Sequence, residues 1–178
     1  MELIGGGRSA GDMPKLLQYI QDRDLWKNSM PDCEAVIAYL YASTLPKTPQ
    51  YIKMFTTVVR DFEAHPLKYI EKGRQILEVK EELIREILQG LTVYNIDGIE
   101  VGLVTSSVYA SELGAIISEK YPIGLVMCLR EGRYYFSARS NKKNPDWVDV
   151  GTWCTKYGGG GHECAAGFST KTLPSWLQ

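Results

Sequence analysis

Long hydrophobic runs are missing from this sequence. Its most apolar stretches, such as Ile123 to Leu129 (IGLVMCL), fall far short of the roughly 20 residues that a membrane-spanning helix needs, so no membrane association is expected. An excess of either charge is missing too: 20 Lys and Arg face 21 Asp and Glu, for a net charge of −1. That balance provides no global basic field to draw the chain to nucleic acid, and any anion site must be local. Cysteine is scarce. Cys33, Cys128, Cys154 and Cys164 form no C-x-x-C pair, and with no signal peptide read at the start, a reduced, cytoplasmic setting is expected. Histidine occurs only as His65 and His162, so imidazole chemistry has few places to reside. What remains is an ordinary globular composition, 44% apolar with eleven tyrosines. At 178 residues the chain is long enough to bury roughly 70% of its unfolded surface.

Glycine is the exception to this scarcity. Met1 to Gly11 (MELIGGGRSAG) reads as a loop, and structure is expected from about Met13. Pro14 to Trp26 has helical spacing with Pro14 suited to a first turn. A second helix is expected from Pro31 or Asp32 through Tyr41, ending before Thr44 to Pro49 (TLPKTP). Tyr51 to Ala64 and Leu67 to Gln89 carry apolar residues at a period near 3.6, interrupted at His65-Pro66 and stopped by Gly90 as a C-cap.

After Gly90 the pattern turns to short β-branched and aromatic runs: Gly98 to Ser106, Ile123 to Ser140 with a hairpin turn at Arg130 to Arg133, and Ala165 to Thr170. Between them Ser111 to Tyr121, with Ser111 as a cap candidate, and Asp146 to Tyr157 read as helices. The expected fold class is α/β: a helical N-terminal and linker segment over residues 1–90, then a small mixed-sheet α/β domain over residues 91–178.

Three places can carry chemistry. The first is Gly158 to Gly161 followed by His162. Successive glycine amides can form a concave nest for an anion, with His162 at its edge, although four glycines also suit a plain flexible turn. The spacing fits neither a dinucleotide fingerprint nor a P-loop. The second is Phe136 to Ser140 (FSARS), where alternation puts Ser137 and Arg139 on one face and the guanidinium fork suits bidentate phosphate contact; a simple surface arginine is the commoner case. The third is a zinc reading of Cys128, Cys154, His162 and Cys164, whose spacing lacks paired knuckles. His65, at a helix break, reads as a surface residue. Asp22 and Asp24 lie about 200° apart on a helix; one of them can supply at most a single ligand to a metal held mainly by other residues, and otherwise both belong to a solvated face.

The segment GGGGHECAAGF, Gly158 to Phe168, resembles the G-G-G-H-x-x-A-A-G signature of the DHH-associated C-terminal domain in the Asp-His-His phosphoesterase superfamily. FSARS resembles that family's S-x-R-S strand, Ser111 to Gly114 (SELG) its S-E-x-G helix, and Leu16 to Trp26 a segment that joins catalytic domain to linker in some members. The resemblance implies a two-domain fold with a helical linker and substrate held between the domains. It implies that Ser137, Arg139, Ser140, Gly159, Gly160, Gly161 and His162 bind a phosphate-containing small molecule, nucleotide or short oligonucleotide. In the family two Mn²⁺ or Mg²⁺ ions are held by the first domain, but no Asp-His-His occurs here. The chain alone is therefore expected to lack a cofactor and to be inactive, with Asp22 at most one ligand once a catalytic domain, on a separate chain or not, completes the site. The expected alternative is a stand-alone, non-catalytic nucleotide or single-stranded nucleic-acid binding module.

Overall fold

The computed structural model describes residues 13–25, 27, 29–43 and 51–177, with the side chains of 51–54 left aside. The expectations for Met1 to Gly11, for Trp26 as a helix end and for the Thr44 to Pro49 break lie outside the described residues. Two compact units divide the chain, Met1–Glu81 and Glu82–Gln178.

The first unit is helical: α1 (Lys15–Asp24), α2 (Cys33–Ser43), α3 (Tyr51–Ala64) and most of α4 (Pro66–Leu88). Its core gathers Leu16, Tyr19, Val36, Leu40, Phe62 and Tyr69. Phe62 meets Tyr19 and Tyr69 edge-on, at centroid separations of 5.7 and 5.1 Å, the arrangement the ring quadrupole favours. His65-Pro66 breaks the helix as expected, because a proline cannot donate to the preceding turn. The corner is closed by Asp61, which accepts from Lys68 Nζ (2.8 Å) and the Tyr69 hydroxyl (2.9 Å). His65 itself is exposed. At Gly73 the backbone of α4 approaches that of α2 so closely that a Cβ would lie 1.8 Å from the Ala35 carbonyl oxygen.

The second unit is one six-stranded mixed sheet in the order β1-β2-β3-β4-β6-β5. The strands are β1 (Thr92–Ile96), β2 (Ile99–Thr105), β3 (Ile123–Arg130), β4 (Arg133–Arg139), β5 (Gly160–His162) and β6 (Ala165–Thr170), with α5 (Ala110–Lys120) crossing between parallel β2 and β3 and α6 (Val150–Thr155) before β5. Phe136, Phe168, Trp153, Val150 and Leu125 fill one face; Leu113 and Ile117 of α5, with Ile84 from the last turns of α4, cover Val104 and Val126 on the other. The end of α4 therefore belongs to the second compact unit, Glu82–Gln178.

Several local readings need correction. β1 was not expected, although Asp97 and Gly98 between β1 and β2 take the positive φ values (54° and 82°) that a two-residue hairpin turn demands. The helix expected over Asp146 to Tyr157 is confined to Val150–Thr155, because Asp149 caps it, accepting from the Thr152 amide at 3.0 Å. Ser111 is not a cap. Tyr109, in a left-handed conformation, occupies that position in α5.

Candidate phosphate-binding site

Arg139 ends β4, and alternation places it on the same face as Ser137 and Tyr135, opposite the buried Phe136 and Ala138. Its guanidinium is held in place from three sides. Nη1 donates to the Ser137 hydroxyl (3.2 Å) and the Ala138 carbonyl (2.9 Å), and Nη2 donates to the Ser111 hydroxyl (2.8 Å). Its alkyl stem crosses Gly114, where a Cβ would stand 2.8 Å from the arginine Cγ. The Ser111 to Gly114 motif thus acts on the arginine: one residue accepts from it and the other makes room for it. No carboxylate pairs with Arg139 among the described residues, so a fixed positive charge stands without a counter-charge, the condition in which a guanidinium binds an anion best.

Sheet register carries this charge toward the glycine run. Arg139 pairs with Ala165, and Ala165 with His162; residues directly opposite share a face, so arginine and histidine flank a methyl group at a Cα separation of about 10 Å. One step along, Ser137, Gly167 and Gly160 form the next row. The His162 ring is exposed and makes no hydrogen bond among the described residues.

The four glycines have different reasons to be glycine. Gly158 and Gly161 adopt φ of +74° and +150°, which side-chain-bearing residues avoid. At Gly159 a Cβ would sit 2.2 Å from the Gly167 carbonyl oxygen. Gly160 has neither excuse: its φ is not positive, and a Cβ there meets nothing within 4 Å. The run is also not a simple loop, since Gly160 to His162 form edge strand β5.

The turn after His162 is firmly anchored. The Glu163 carbonyl accepts from the Val150 amide (2.9 Å) and the Ser140 hydroxyl (3.1 Å), while the Ser140 amide donates to the Cys164 carbonyl (3.2 Å). Lys142 bonds the Glu163 carboxylate. Ser140 is buried, and its hydroxyl positions this turn.

Two hollows border these residues. One, of about 500 Å³, is lined by Ser106, Ala110, Arg130, Tyr135, Ser137 and Gly159 among others. The other, of about 410 Å³, lies along α6 and β5 and includes Gly160, Gly161 and His162. Of the expected clamp residues, Ser137 and Gly159 line the first hollow and Gly160, Gly161 and His162 the second, while Arg139 and Ser140 line neither and Arg139 reaches the first through its bond to Ser137. Ser111, Gly114, Tyr135 and Arg130 were not singled out for this site by sequence reasoning; the alternation in RYYFSAR would have put Tyr135 beside Ser137.

The fold is one also seen in a phosphodiesterase. The pGpG-specific phosphodiesterase PggH from Vibrio cholerae superposes with a TM-score of 0.52 at 15% identity, the match covering 90% of this chain and 64% of that one. In sequence the chain is 28% identical over 175 residues, 93% of its length, to the uncharacterised protein R106 of Acanthamoeba polyphaga mimivirus, of which it spans 39%. No family model matches.

The remaining candidates are not brought together. Cys154 is fully buried in the core and its thiol is pushed up to about 11 by burial, whereas Cys128 lies on the opposite face, paired with Tyr135. No three His, Cys, Asp or Glu residues converge among the described residues. Asp22 is buried rather than on a solvated face. Its carboxylate accepts from the Ser29 hydroxyl (2.5 Å) and from the amides of Ser29 (2.9 Å) and Met30 (3.1 Å). The Ser29 hydroxyl bond above all holds its pKa below the usual carboxylate value.

Proposed function

We propose that this chain is the phosphate-gripping, substrate-binding part of a phosphoesterase of the Asp-His-His superfamily, and that its ligand is a nucleotide or short oligonucleotide. Arg139 carries this reading: a guanidinium braced by Ser111 and Ser137 and paired with no carboxylate among the described residues is prepared for an anion. Support comes from the fold shared with PggH, itself described as a pGpG-specific phosphodiesterase, and from Gly160, whose lack of a side chain the protein's own packing does not require. In this reading one phosphate oxygen pair meets the arginine fork, the glycine backbone allows close approach, and His162 closes the far side.

Hydrolysis in this superfamily needs metal ions and a metal-activated water. The described residues do not fit that task, since no three of their His, Cys, Asp and Glu side chains come together and Asp22 is engaged by Ser29 and Met30. The proposal therefore assigns Mn²⁺ or Mg²⁺ to an Asp-His-His domain outside these residues, in a longer protein or on a separate chain, and gives this chain binding alone.

Calorimetric titration with the phosphodiester dinucleotide ApA tests it. Arg139→Ala removes a charge-assisted contact of about 1.5–3 kcal/mol, roughly a 10- to 150-fold loss of affinity. Gly160→Ala leaves the melting temperature unchanged, because its methyl group meets open space, yet weakens binding. Equal affinity in wild type and both variants places the ligand elsewhere and defeats the proposal.

A further inference from the structure

The 500 Å³ hollow beside the clamp has a chemistry that a phosphate alone does not use. On its floor Val126, Ser137 and Gly167 form one row, and Cys128, Tyr135 and Ser169 the next. Tyr135 presents its ring there, 39% exposed, and no aromatic partner stacks on it among the described residues. Arg130 stands at the rim with no carboxylate partner among the described residues. Arg133 on the same face is fixed by the Ser169 hydroxyl at 2.9 Å. Opposite, Ser106, Ser107 and Ala110 close the hollow.

The Arg139 guanidinium reaches back to the Ser137 hydroxyl, two strand residues or about 7 Å from Tyr135, a span that a nucleotide covers between its phosphate and its base. A ligand phosphate at Arg139 with a nucleoside extending along β4 brings its base over the Tyr135 ring. An exposed tyrosine with glycine and serine beside it on that floor is suited to a flat π-system, since stacking needs a face and little lateral bulk. The hydroxyls of Ser137 and Ser169 supply polar contacts without filling the space.

We propose that this hollow is a base-binding subsite in which Tyr135 stacks on the nucleobase attached to the clamped phosphate. The proposal rests on the phosphate-clamp reading and adds to it the part of the ligand that is recognised. Stacking on an aromatic side chain accepts any base, so Tyr135 contributes affinity for base-bearing ligands with little sequence preference.

The test titrates the full chain and its variants with two probes: ApA, and the same phosphodiester with both bases removed. Wild type binds ApA about fivefold or more tightly than the abasic probe. Tyr135→Ala abolishes that preference and leaves abasic binding unchanged, while Tyr135→Phe retains it. Arg139→Ala weakens both probes alike. If wild type binds the two probes equally, or if Tyr135→Ala weakens them by the same factor, the subsite is refuted while the clamp stands. If Arg139→Ala alters neither, or if neither probe binds, the clamp reading fails, and the subsite with it.

Discussion

A carboxylate or guanidinium is informative through what it touches, and Asp22 and Arg139 are the contrasting pair in this protein. In sequence both stood as single charged residues with an ordinary surface reading available. Asp22 proves to be the acceptor that closes the turn between α1 and α2, a role that no local motif announces because its donors, Ser29 and Met30, lie seven and eight residues on. Its folded pKa is depressed, so its contribution to stability is present above the unfolded value of about 3.9 and is lost as the pH falls through the lower folded value. The destabilisation caused by Asp22→Asn, followed by urea midpoints, should accordingly be greatest at neutral pH and shrink below pH ~4. A penalty that stays constant down to pH 2 would show that the carboxylate charge is not what matters. Arg139 makes the opposite case: its partners are neutral hydroxyls and a carbonyl, which fix its direction without neutralising its charge.

At the scale of elements, long helices and buried strands were legible because their periodicity is a direct consequence of burial. α3 and β6 match their expected bounds, and α4 differs by a residue at each end. The shorter pieces were less so. β1 has one exposed end and weak alternation, and its clearest signal was the Asp97-Gly98 turn rather than the strand itself. β5 forms only because the edge of β6 offers backbone partners to a glycine run with little strand propensity of its own. The cradle formed by Ser111 and Gly114 was visible as a family motif, but its purpose, holding Arg139 from a neighbouring element, belongs to tertiary structure. Helix packing through small residues gives an element-level prediction. Gly73→Ala puts a methyl group into the Ala35 backbone, forcing α4 from α2; the gain in helix propensity, about 1 kcal/mol, is outweighed by overpacking that reaches about 3 kcal/mol. Chemical denaturation should show net destabilisation of the helical unit, and an unchanged or raised midpoint would contradict the close approach.

For the whole molecule, the mixed α/β architecture followed from the change of pattern after Gly90, and the last turns of α4 carry Ile84, Ile87 and Leu88 to the sheet. The second unit offers a half-open sheet face in which a fixed cation, a histidine, an unhindered glycine and an exposed tyrosine fall on adjacent rows of one register. No helix of the described residues is long and apolar enough to cross a membrane. The claim that this face grips a phosphate-bearing ligand is tested most directly by amide chemical-shift mapping of the full chain titrated with ApA. Saturable shifts are expected at Ser137 to Arg139, Gly158 to His162 and Ala165 to Gly167, with the helical core around Phe62 silent. Shifts centred on any other surface, or none at millimolar ligand, would contradict that claim.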